Sequence, residues 1–394
     1  MTSAPPGVPL HDLLADRAAH ASCFPYSGTH LAHCAVAPLC GPAAQALNRY
    51  AERCSYGRQD DPELWHEAMD CRRVIGAALS VDQACLALVG PTTYGLSLIA
   101  RGLAWRPGDE VICCADDYPA NVYPWMALSS EGVVVHRLHT QVPGCVTWQD
   151  LAPLLNARTR LVSLASCHYL TGYCPDITDI GRRLRERGIL FCLDAIQTLG
   201  ILPCDLSCVD FMAADSHKWL MGPSGAGVLY VDAAHHDNLR PVSLGVGSVK
   251  SPDLLTQPTI VYEPGARRYE GGTPNVPGIL AMGAAWRMWQ ALGASAVTAR
   301  VQALRQSLAM ALTARGWQTA AMPPDCTHQA TGGILSLRHP DISPPQAQAA
   351  LQAAGMITSV RRDHHGAQWW RLAPHAYHDE DLAEQVVRAL AQTA

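Results

Sequence analysis

The sequence predicts an α/β protein with a large domain built on a mostly parallel, seven-stranded sheet, followed by a smaller α+β C-terminal domain. Short apolar runs alternate with amphipathic stretches between residues 60 and 232, which is typical of βαβ units. After residue 276, two long helical stretches come before a mixture of short strands and helices. The chain has 394 residues, of which 48% are hydrophobic, so it is long enough to bury more than one core.

The large domain is predicted from seven strand-like runs with helical stretches between them. The predicted strands are Cys85–Val89, Glu110–Cys114, Val133–His136, Arg160–Leu164, Ile189–Leu193, Phe211–Ala214 and Gly227–Val231. The predicted helices are Tyr94–Leu103, Asn121–Leu128 and Ile177–Arg187. Because sites in parallel sheets lie at the carboxyl ends of strands, we look for function where these runs end.

The chain divides, on these patterns, into an N-terminal arm (1–28), a large domain with a connecting segment (29–276) and a small domain (277–394). Helices of the small domain are predicted at Pro277–Leu292, Ala294–Arg315, Pro344–Ala353 and Asp379–Ala391. Its strands are predicted at Gly333–Leu337, Ile357–Arg361 and Trp369–Leu372.

Composition excludes several classes of function. The net charge of -5 argues against a nucleic-acid-binding surface, which is normally basic. No apolar run reaches the roughly 20 residues that span a bilayer, and the first residues lack the pattern of a signal peptide, so we expect a cytoplasmic protein. The 15 cysteines show neither CxxC nor zinc-ribbon spacing. We interpret them as small buried apolar residues in a reducing compartment.

A carboxylate and a lysine stand out at the ends of two predicted strands. Asp194 ends the run LFCLD, and Lys218 follows the run FMAAD and precedes a glycine-rich turn. Chemistry based on pyridoxal 5′-phosphate (PLP) needs this pair: an amine forms the imine and a carboxylate keeps the pyridine nitrogen protonated. An isolated lysine after a strand is usually a solvated surface residue. Lys218, however, lies in apolar sequence, and the chain has only one other lysine, Lys250.

The run DAIQTLG…ADSHKW…GPSGAGVLYV resembles the class V aminotransferase family of fold-type I PLP enzymes. This family includes cysteine desulfurases, isopenicillin N epimerase-like proteins, kynureninases and C–S lyases. The resemblance extends from HCAVAPL near residue 33 to RLAPHAYH near residue 371. It implies that Lys218 is the imine lysine, that Asp194 pairs with the pyridine nitrogen and that Gln197 hydrogen-bonds the phenolic oxygen. His217 resembles a residue that helps to hold the phosphate.

Two further stretches resemble parts of a cofactor site. In VGPTTYGLSLIARGL, Thr92 and Thr93 correspond to the start of a helix under the phosphate, where free N–H groups and the helix dipole favour an anion. Taken alone, they are more often helix-capping residues. In CADDYPANVYPW, Tyr118 corresponds to an aromatic ring over the face of the cofactor. Otherwise it is a tyrosine in a turn.

The resemblance also implies a shared site and an amino-acid substrate. In RRYEGGTPNVPG, Thr273 corresponds to a residue that binds the phosphate in the neighbouring subunit, which implies a homodimer with shared active sites. In WWRLAPHAYH, Arg371 corresponds to the arginine that binds the substrate α-carboxylate, a task that suits a guanidinium group. His168, in SCHYLTGY, is a candidate substrate-binding residue near a strand end.

Two positions depart from the family pattern. Desulfurases carry a nucleophilic cysteine shortly before the carboxylate arginine, but Gly366 stands near that position, and no cysteine follows Cys326. Because a thiolate must attack the substrate sulfur, this departure argues against a desulfurase. Asp215 replaces a serine that binds phosphate in many relatives. An aspartate facing the phosphate would repel it, so we expect it to face away or the local geometry to differ.

We therefore expect a PLP-dependent enzyme that acts on an amino acid, and we favour a C–S lyase that β-eliminates a cysteine S-conjugate after Lys218 removes the α-proton. Epimerisation, transamination and decarboxylating or oxidative deamination remain alternatives. Two interpretations belong to other classes of protein. One is a non-catalytic PLP-fold binding protein. The other is a metal hydrolase, against which the absence of HExxH-type spacing argues. The hydrolase would use Asp363, His364, His365, His375 and His378.

Overall fold

The computed structural model describes residues 9–322 and 331–391. Its helices are α1 (Leu10–Ala15), α2 (Arg17–Cys23), α3 (Gly41–Ser55), α4 (Pro62–Leu79), α5 (Thr92–Gly102), α6 (Tyr123–Met126), α7 (Trp148–Leu151), α8 (Ile177–Arg185), α9 (Val276–Leu292), α10 (Ala294–Thr313), α11 (Pro344–Ala353) and α12 (Leu382–Ala391). Its strands are β1 (Thr29–His30), β2 (Leu86–Val89), β3 (Glu110–Cys114), β4 (Val134–Leu138), β5 (Thr159–Ala165), β6 (Leu190–Asp194), β7 (Phe211–Asp215), β8 (Gly227–Val231), β9 (Gln318–Thr319), β10 (Leu335–Arg338), β11 (Met356–Ile357), β12 (Ser359–Arg362) and β13 (Gln368–Leu372).

The central sheet has seven strands in the order β2-β8-β7-β6-β5-β3-β4. Strands β4, β3, β5, β6 and β7 are parallel, whereas β8 runs antiparallel to both of its neighbours. The prediction of a mostly parallel seven-stranded α/β sheet is therefore confirmed. Every one of the seven predicted runs forms a strand, and the ends differ by no more than two residues.

Both faces of the sheet are buried except at the edge strand β4, which explains why the other strands are mostly apolar. Successive residues of a strand point to opposite faces. In β8, Val228 packs into one core and Leu229 into the other, and Cys114 and Cys113 divide in the same way in β3. The cysteines in the strands thus act as small core residues, as the sequence indicated.

The small domain is built on a four-stranded antiparallel sheet in the order β12-β13-β10-β9. Helices α10, α11 and α12 cover it, and they share a separate core with Leu31 from the N-terminal part of the chain. Strand β1 pairs in parallel with β11, so the segment after residue 28 is attached to this domain. The same segment continues to residues 34–36, which line the cavity described below.

The predicted domain limits stay a prediction. The packing of α9 and of the N-terminal helices shows which core each of these segments joins. Helix α9 packs against α3 and α4, two long helices that are not among the predicted elements, and it belongs to the main core. The predicted N-terminal arm contains α1 and α2, whose Leu10 and Leu13 are buried. Residues 1–8, 323–330 and 392–394 of the predicted arm and small domain lie outside the described residues. Among the helices that are described, none combines the length and the apolarity needed to cross a bilayer.

A cluster of buried histidines joins the two ends of the chain beneath the site. Its members are His30, His33, His375 and His378, each less than a tenth exposed. His33 Nδ1 donates to Ala373 O at 2.9 Å, and His375 Nε2 donates to Trp219 O at 2.8 Å. Burial lowers the pKa of all four, to about 3 for His375 and about 4 for His378. The histidines considered as metal ligands in this region instead hydrogen-bond the backbone, and no metal-binding group of three or more ligands occurs among the residues described.

These histidines predict a loss of stability in mild acid. Their folded pKa lies below the unfolded value of about 6.5, so below that pH the unfolded state binds more protons. We expect each such histidine to lower the free energy of unfolding by up to about 1.4 kcal/mol per pH unit between pH 6.5 and pH 5. Denaturant titrations across this range measure the slope. His378→Asn should make it shallower, whereas His66→Gln, at an exposed position, should not. Equal stability at pH 7 and pH 5 would contradict this assignment.

Candidate active site

A cavity of about 250 Å³ lies at the carboxyl ends of the central strands. Asp194 is the last residue of β6 and Asp215 the last residue of β7, and both line it. The small domain closes it from the other side through Arg361 and Arg371. Eight of the ten predicted site residues line this cavity: Thr92, Thr93, Tyr118, Asp194, Gln197, His217, Lys218 and Arg371.

Lys218 is a buried amine without an ionic partner. Its side chain follows β7, and the residue is 7% exposed. Among the described residues, its Nζ makes no hydrogen bond or ion pair, and it lies 5.4 Å from the centre of the Tyr118 ring. Burial lowers the pKa of Lys218 to about 8, against the opposing effect of Asp194. An amine with such a pKa is partly neutral near physiological pH and can act as a nucleophile or a base.

Asp194 is a buried carboxylate that faces the same cavity. Its Oδ1 accepts a hydrogen bond from Ile196 N at 3.0 Å, and no partner of Oδ2 occurs in the part of the chain described. Burial, together with the charge of Asp117, raises the pKa of Asp194 to about 7. A carboxyl group poised near neutrality, with one oxygen free, is suited to pair with a ring nitrogen that carries a proton.

Gln197 is held by two neighbours. Its Oε1 accepts from Trp219 Nε1 and its Nε2 donates to Cys34 O, both at 3.0 Å. These partners fix the orientation of the amide, since Trp219 only donates and a carbonyl only accepts. The second N–H of Nε2 remains available to a ligand oxygen in the cavity.

Helix α5 presents its N-terminus to the cavity. Thr92 and Thr93 open the helix after Pro91, and the first turn of a helix offers N–H groups that have no partner within it. Thr92 Oγ1 accepts from Asp215 N at 2.9 Å, which ties this helix start to the end of β7. A phosphate fits such a helix start, because N–H donors and the dipole both favour an anion.

Asp215, the departure from the family pattern, lines the cavity, but N–H groups of its own loop occupy both of its carboxylate oxygens. Its Oδ1 accepts from Ser216 N at 2.6 Å and its Oδ2 from Gly225 N at 3.1 Å. His217 Nδ1 lies 3.0 Å from the same Oδ2, although without the alignment of a hydrogen bond. The carboxylate thus accepts hydrogen bonds from two backbone N–H groups, and these bonds shape the loop after β7.

Arg371 is the most deeply buried cation of the cavity. It lies on β13 and is 1% exposed. Nε donates to Ser359 Oγ at 3.2 Å and Nη1 donates to Tyr169 O. In the described parts of the chain Nη2 has no hydrogen-bond partner, and no carboxylate forms an ion pair with this guanidinium. Because a buried charge without a partner is costly, the geometry is suited to an anionic ligand.

Two predicted residues do not line this cavity. Thr273 is exposed and borders an adjacent cavity of about 220 Å³, which shares only Pro91 with the first. His168 is buried, and its Nε2 donates to Asp116 O at 3.0 Å while its Nδ1 lies 3.1 Å from Thr171 Oγ1. Its ring therefore braces the loop before Tyr118, and the next residue, Tyr169, faces the cavity instead.

Other lining residues were not predicted as members of the site. Cys34 comes from the segment HCAVAPL, which the sequence marks only as the start of the family resemblance. Tyr169 packs edge-on against Tyr118 with ring centres 5.5 Å apart. Arg361, on β12, also lines the cavity. The sequence offered one indication for Cys34, its place in the segment HCAVAPL. The cavity itself could not be foreseen there, because it forms from parts of the chain that are far apart in sequence.

Comparison with known proteins identifies the family. The family model described as aminotransferase class-V matches residues 62–389. The chain belongs to this family. Its members are PLP-dependent enzymes, so the predicted enzyme class and cofactor are confirmed. A probable cysteine desulfurase from Methanothermobacter thermautotrophicus is 26% identical over 301 residues, which cover 76% of this chain and 73% of that protein.

Several solved structures share the fold. A cysteine desulfurase from Thermococcus onnurineus NA1 superposes with a TM-score of 0.81 at 19% identity, covering 93% of both chains. A lysine-to-alanine mutant of C-DES, with glycine covalently linked to its PLP cofactor, gives 0.81 at 20% identity and covers 95% of this chain and 98% of that one. C-DES, described as a cystine C–S lyase in complex with its product cysteine persulfide, gives 0.80 at 21% identity, with coverages of 94% and 98%.

The residues of the cavity fit PLP. The cofactor carries an aldehyde, a pyridine nitrogen, a phenolic oxygen and a phosphate. Facing the cavity are a buried amine without a partner (Lys218), a carboxylate with a free oxygen (Asp194), a spare amide N–H (Gln197) and a helix start. The exposed Tyr118 ring covers the amine. Each chemical feature of the cofactor thus has a complementary group.

Proposed function

We propose that this class-V enzyme is a C–S lyase that eliminates a thiol or persulfide from a cysteine S-conjugate, with Lys218 as the base. The proposal rests on one observation: a partly neutral buried amine and a buried arginine with a free Nη2 face the same cavity. A free amine can move a proton at the α-carbon, and a free guanidinium can hold the α-carboxylate.

Bound PLP supplies the electron sink that makes the α-proton acidic. The chain supplies the rest. Arg371 binds the α-carboxylate and orients the substrate, and Lys218 removes the α-proton. As the Cβ–S bond breaks, its electron pair leaves with sulfur, which takes up a proton. The carbon skeleton then yields pyruvate and ammonia with one water.

We assign the remaining residues to holding the cofactor. Asp194 pairs with the pyridine nitrogen, Gln197 donates to the phenolic oxygen and Tyr118 stacks on the ring. Thr92, Thr93 and His217 hold the phosphate. Their placement around one cavity supports these roles.

The region where desulfurases carry a C-terminal thiol supports a lyase. Gly366 lies in the turn between β12 and β13 with φ +84°, and no cysteine occurs in the described residues 331–391. β-Elimination requires only the amine, the cofactor and a leaving group. Similarity of fold to a cystine C–S lyase is consistent with such chemistry.

The deciding experiment offers the PLP-loaded enzyme cystine and other cysteine S-conjugates. We expect pyruvate, ammonia and a thiol or persulfide in equal amounts. Inversion at the α-carbon, an amino acid formed from an added keto acid, or released CO2 would replace this proposal by an epimerase, an aminotransferase or a decarboxylating enzyme. Binding of PLP without any turnover would favour a non-catalytic protein.

We further propose a homodimer in which Thr273 contributes to the partner's phosphate site. Thr273 is exposed on a glycine-rich segment anchored by Glu270, whose Oε1 accepts from Leu88 N at 2.6 Å and from Arg72 Nε at 3.0 Å. Large apolar side chains nearby in sequence are exposed, which is typical of an interface: Val242, Leu244, Val246, Leu254, Leu255, Ile260 and Val261. Sedimentation equilibrium should give the mass of two chains, and a monomer would contradict the proposal.

The free thiols of the described cysteines support a reducing compartment such as the cytoplasm.

A further inference from the structure

Cys34 places a thiol in the substrate side of the cavity. Among the described cysteines, it is the one that lines the cavity. Its carbonyl oxygen accepts from Gln197 Nε2 at 3.0 Å, and three residues later Ala37 N donates to His217 O at 2.9 Å. The segment that carries the thiol is therefore fixed by two residues that line the cavity.

The thiol also lies beside the group that anchors the substrate. Cys34 Sγ is 4.0 Å from Ser359 Oγ, and that oxygen accepts the Nε–H of Arg371 at 3.2 Å. Arg371 is 1% exposed and has a free Nη2, so it independently indicates a bound carboxylate. In a cysteine derivative only two bonds separate the α-carbon from sulfur. A substrate held by Arg371 thus brings its sulfur close to Cys34.

We propose that Cys34 is a sulfur-acceptor site for persulfides of amino acids. The Cys34 thiolate attacks the outer sulfur of the persulfide, a new S–S bond forms, and the old S–S bond breaks. The electron pair of that bond leaves on the inner sulfur, which takes a proton and departs as a thiol. The exchange R–S–SH + Cys34–SH → R–SH + Cys34–S–SH needs no outside oxidant.

This inference deepens the proposed function, since elimination from cystine releases a persulfide in the cavity. The absence of a cysteine near position 366 argued against a protein-bound persulfide in that segment, but it does not exclude one on Cys34. A chain with glycine at position 366 can still carry sulfur, on a cysteine from the opposite end of the sequence.

The first test needs no turnover. The protein without PLP is treated with cysteine persulfide, and the peptides are analysed by mass spectrometry. We expect the mass of one extra sulfur atom on the Cys34 peptide, lost in Cys34→Ser and retained in Cys174→Ser. Cys174 is half-buried and does not line the cavity, so it is the matched control. Sulfur spread over other cysteines, with Cys34 unmodified, would overturn the proposal.

The second test separates this site from the lyase reaction. The PLP-loaded protein is given cystine, and both pyruvate and the Cys34 peptide are followed. Pyruvate without sulfur on Cys34 would overturn the acceptor site and leave the lyase intact. Sulfur on Cys34 from supplied persulfide, but no pyruvate from cystine, would overturn the lyase and leave the acceptor.

A third test asks whether Arg371 directs reagents to the thiol. Iodoacetate carries a carboxylate and iodoacetamide does not. We expect the ratio of Cys34 labelling rates for the two reagents to fall about tenfold in Arg371→Met, because a charge-assisted hydrogen bond is lost. An unchanged ratio would show that the guanidinium does not aim ligands at Cys34.

Discussion

Lys218→Ala is expected to lower the rate of the proposed elimination by at least about a thousandfold, because the proposed base for the α-proton is lost. The variant should also fail to form the covalent, yellow adduct with PLP. The chain offers a matched control, since Lys250 is the only other lysine and is exposed. Lys250→Ala should keep both the colour and the activity.

Borohydride reduction makes this prediction sharper. Reduction of the holoenzyme should fix the cofactor on the peptide that contains Lys218. Cofactor fixed on Lys250 instead, or full activity of Lys218→Ala, would disprove the assignment. Since Lys218 has no ionic partner among the described residues, the substitution breaks no ion pair, and thermal unfolding should confirm a folded variant.

Arg371→Met is expected to lower kcat/KM by about a hundredfold, mainly through a higher KM, because the α-carboxylate loses its charge-assisted hydrogen bond to Nη2. Methionine fills much of the buried volume, which limits the loss of packing. For Arg371→Lys we expect a kcat/KM between those of the unsubstituted enzyme and Arg371→Met, since lysine keeps the charge but lacks the planar guanidinium. Steady-state kinetics with a cysteine S-conjugate measure each value.

The matched control is Arg362→Met on the neighbouring strand. Arg362 is exposed and does not line the cavity, so its kinetics should be those of the unsubstituted enzyme. An Arg371→Met variant with an unchanged KM would show that the carboxylate binds elsewhere. Arg361, at the mouth of the same cavity, would then be the next candidate.

The fold was largely predictable because the strands of a buried parallel sheet are apolar on both faces. Runs such as VICC and GVLYV are therefore visible without an alignment. The reversed direction of β8 was not predicted, because direction leaves no mark in the composition of a strand. Helix α3, which packs against α9, was not predicted either; its buried residues are Gly41, Ala43 and Ala46, and such small side chains mark an apolar face only weakly in the sequence.

The site was predictable where the family motif and the strand ends coincide. Asp194 and Lys218 lie at adjacent strand ends, and the structure brings them to one cavity. His168 was placed by its nearness to a strand end, but in the turn after β5 its ring hydrogen-bonds Asp116 O, and Tyr169 lines the cavity instead. Cys34 and Arg371 meet only because the N-terminal segment packs against the small domain, a contact that spacing along the chain does not reveal.

The joining of the two chain ends has a consequence for biosynthesis. His33 hydrogen-bonds Ala373 across 340 positions, and Thr29 pairs with Met356. During translation the early segment leaves the ribosome long before its partners exist, and such distant contacts form slowly. We therefore expect the cavity around Lys218 to stay open to water in a nascent chain until the segment around Ala373 has left the ribosome.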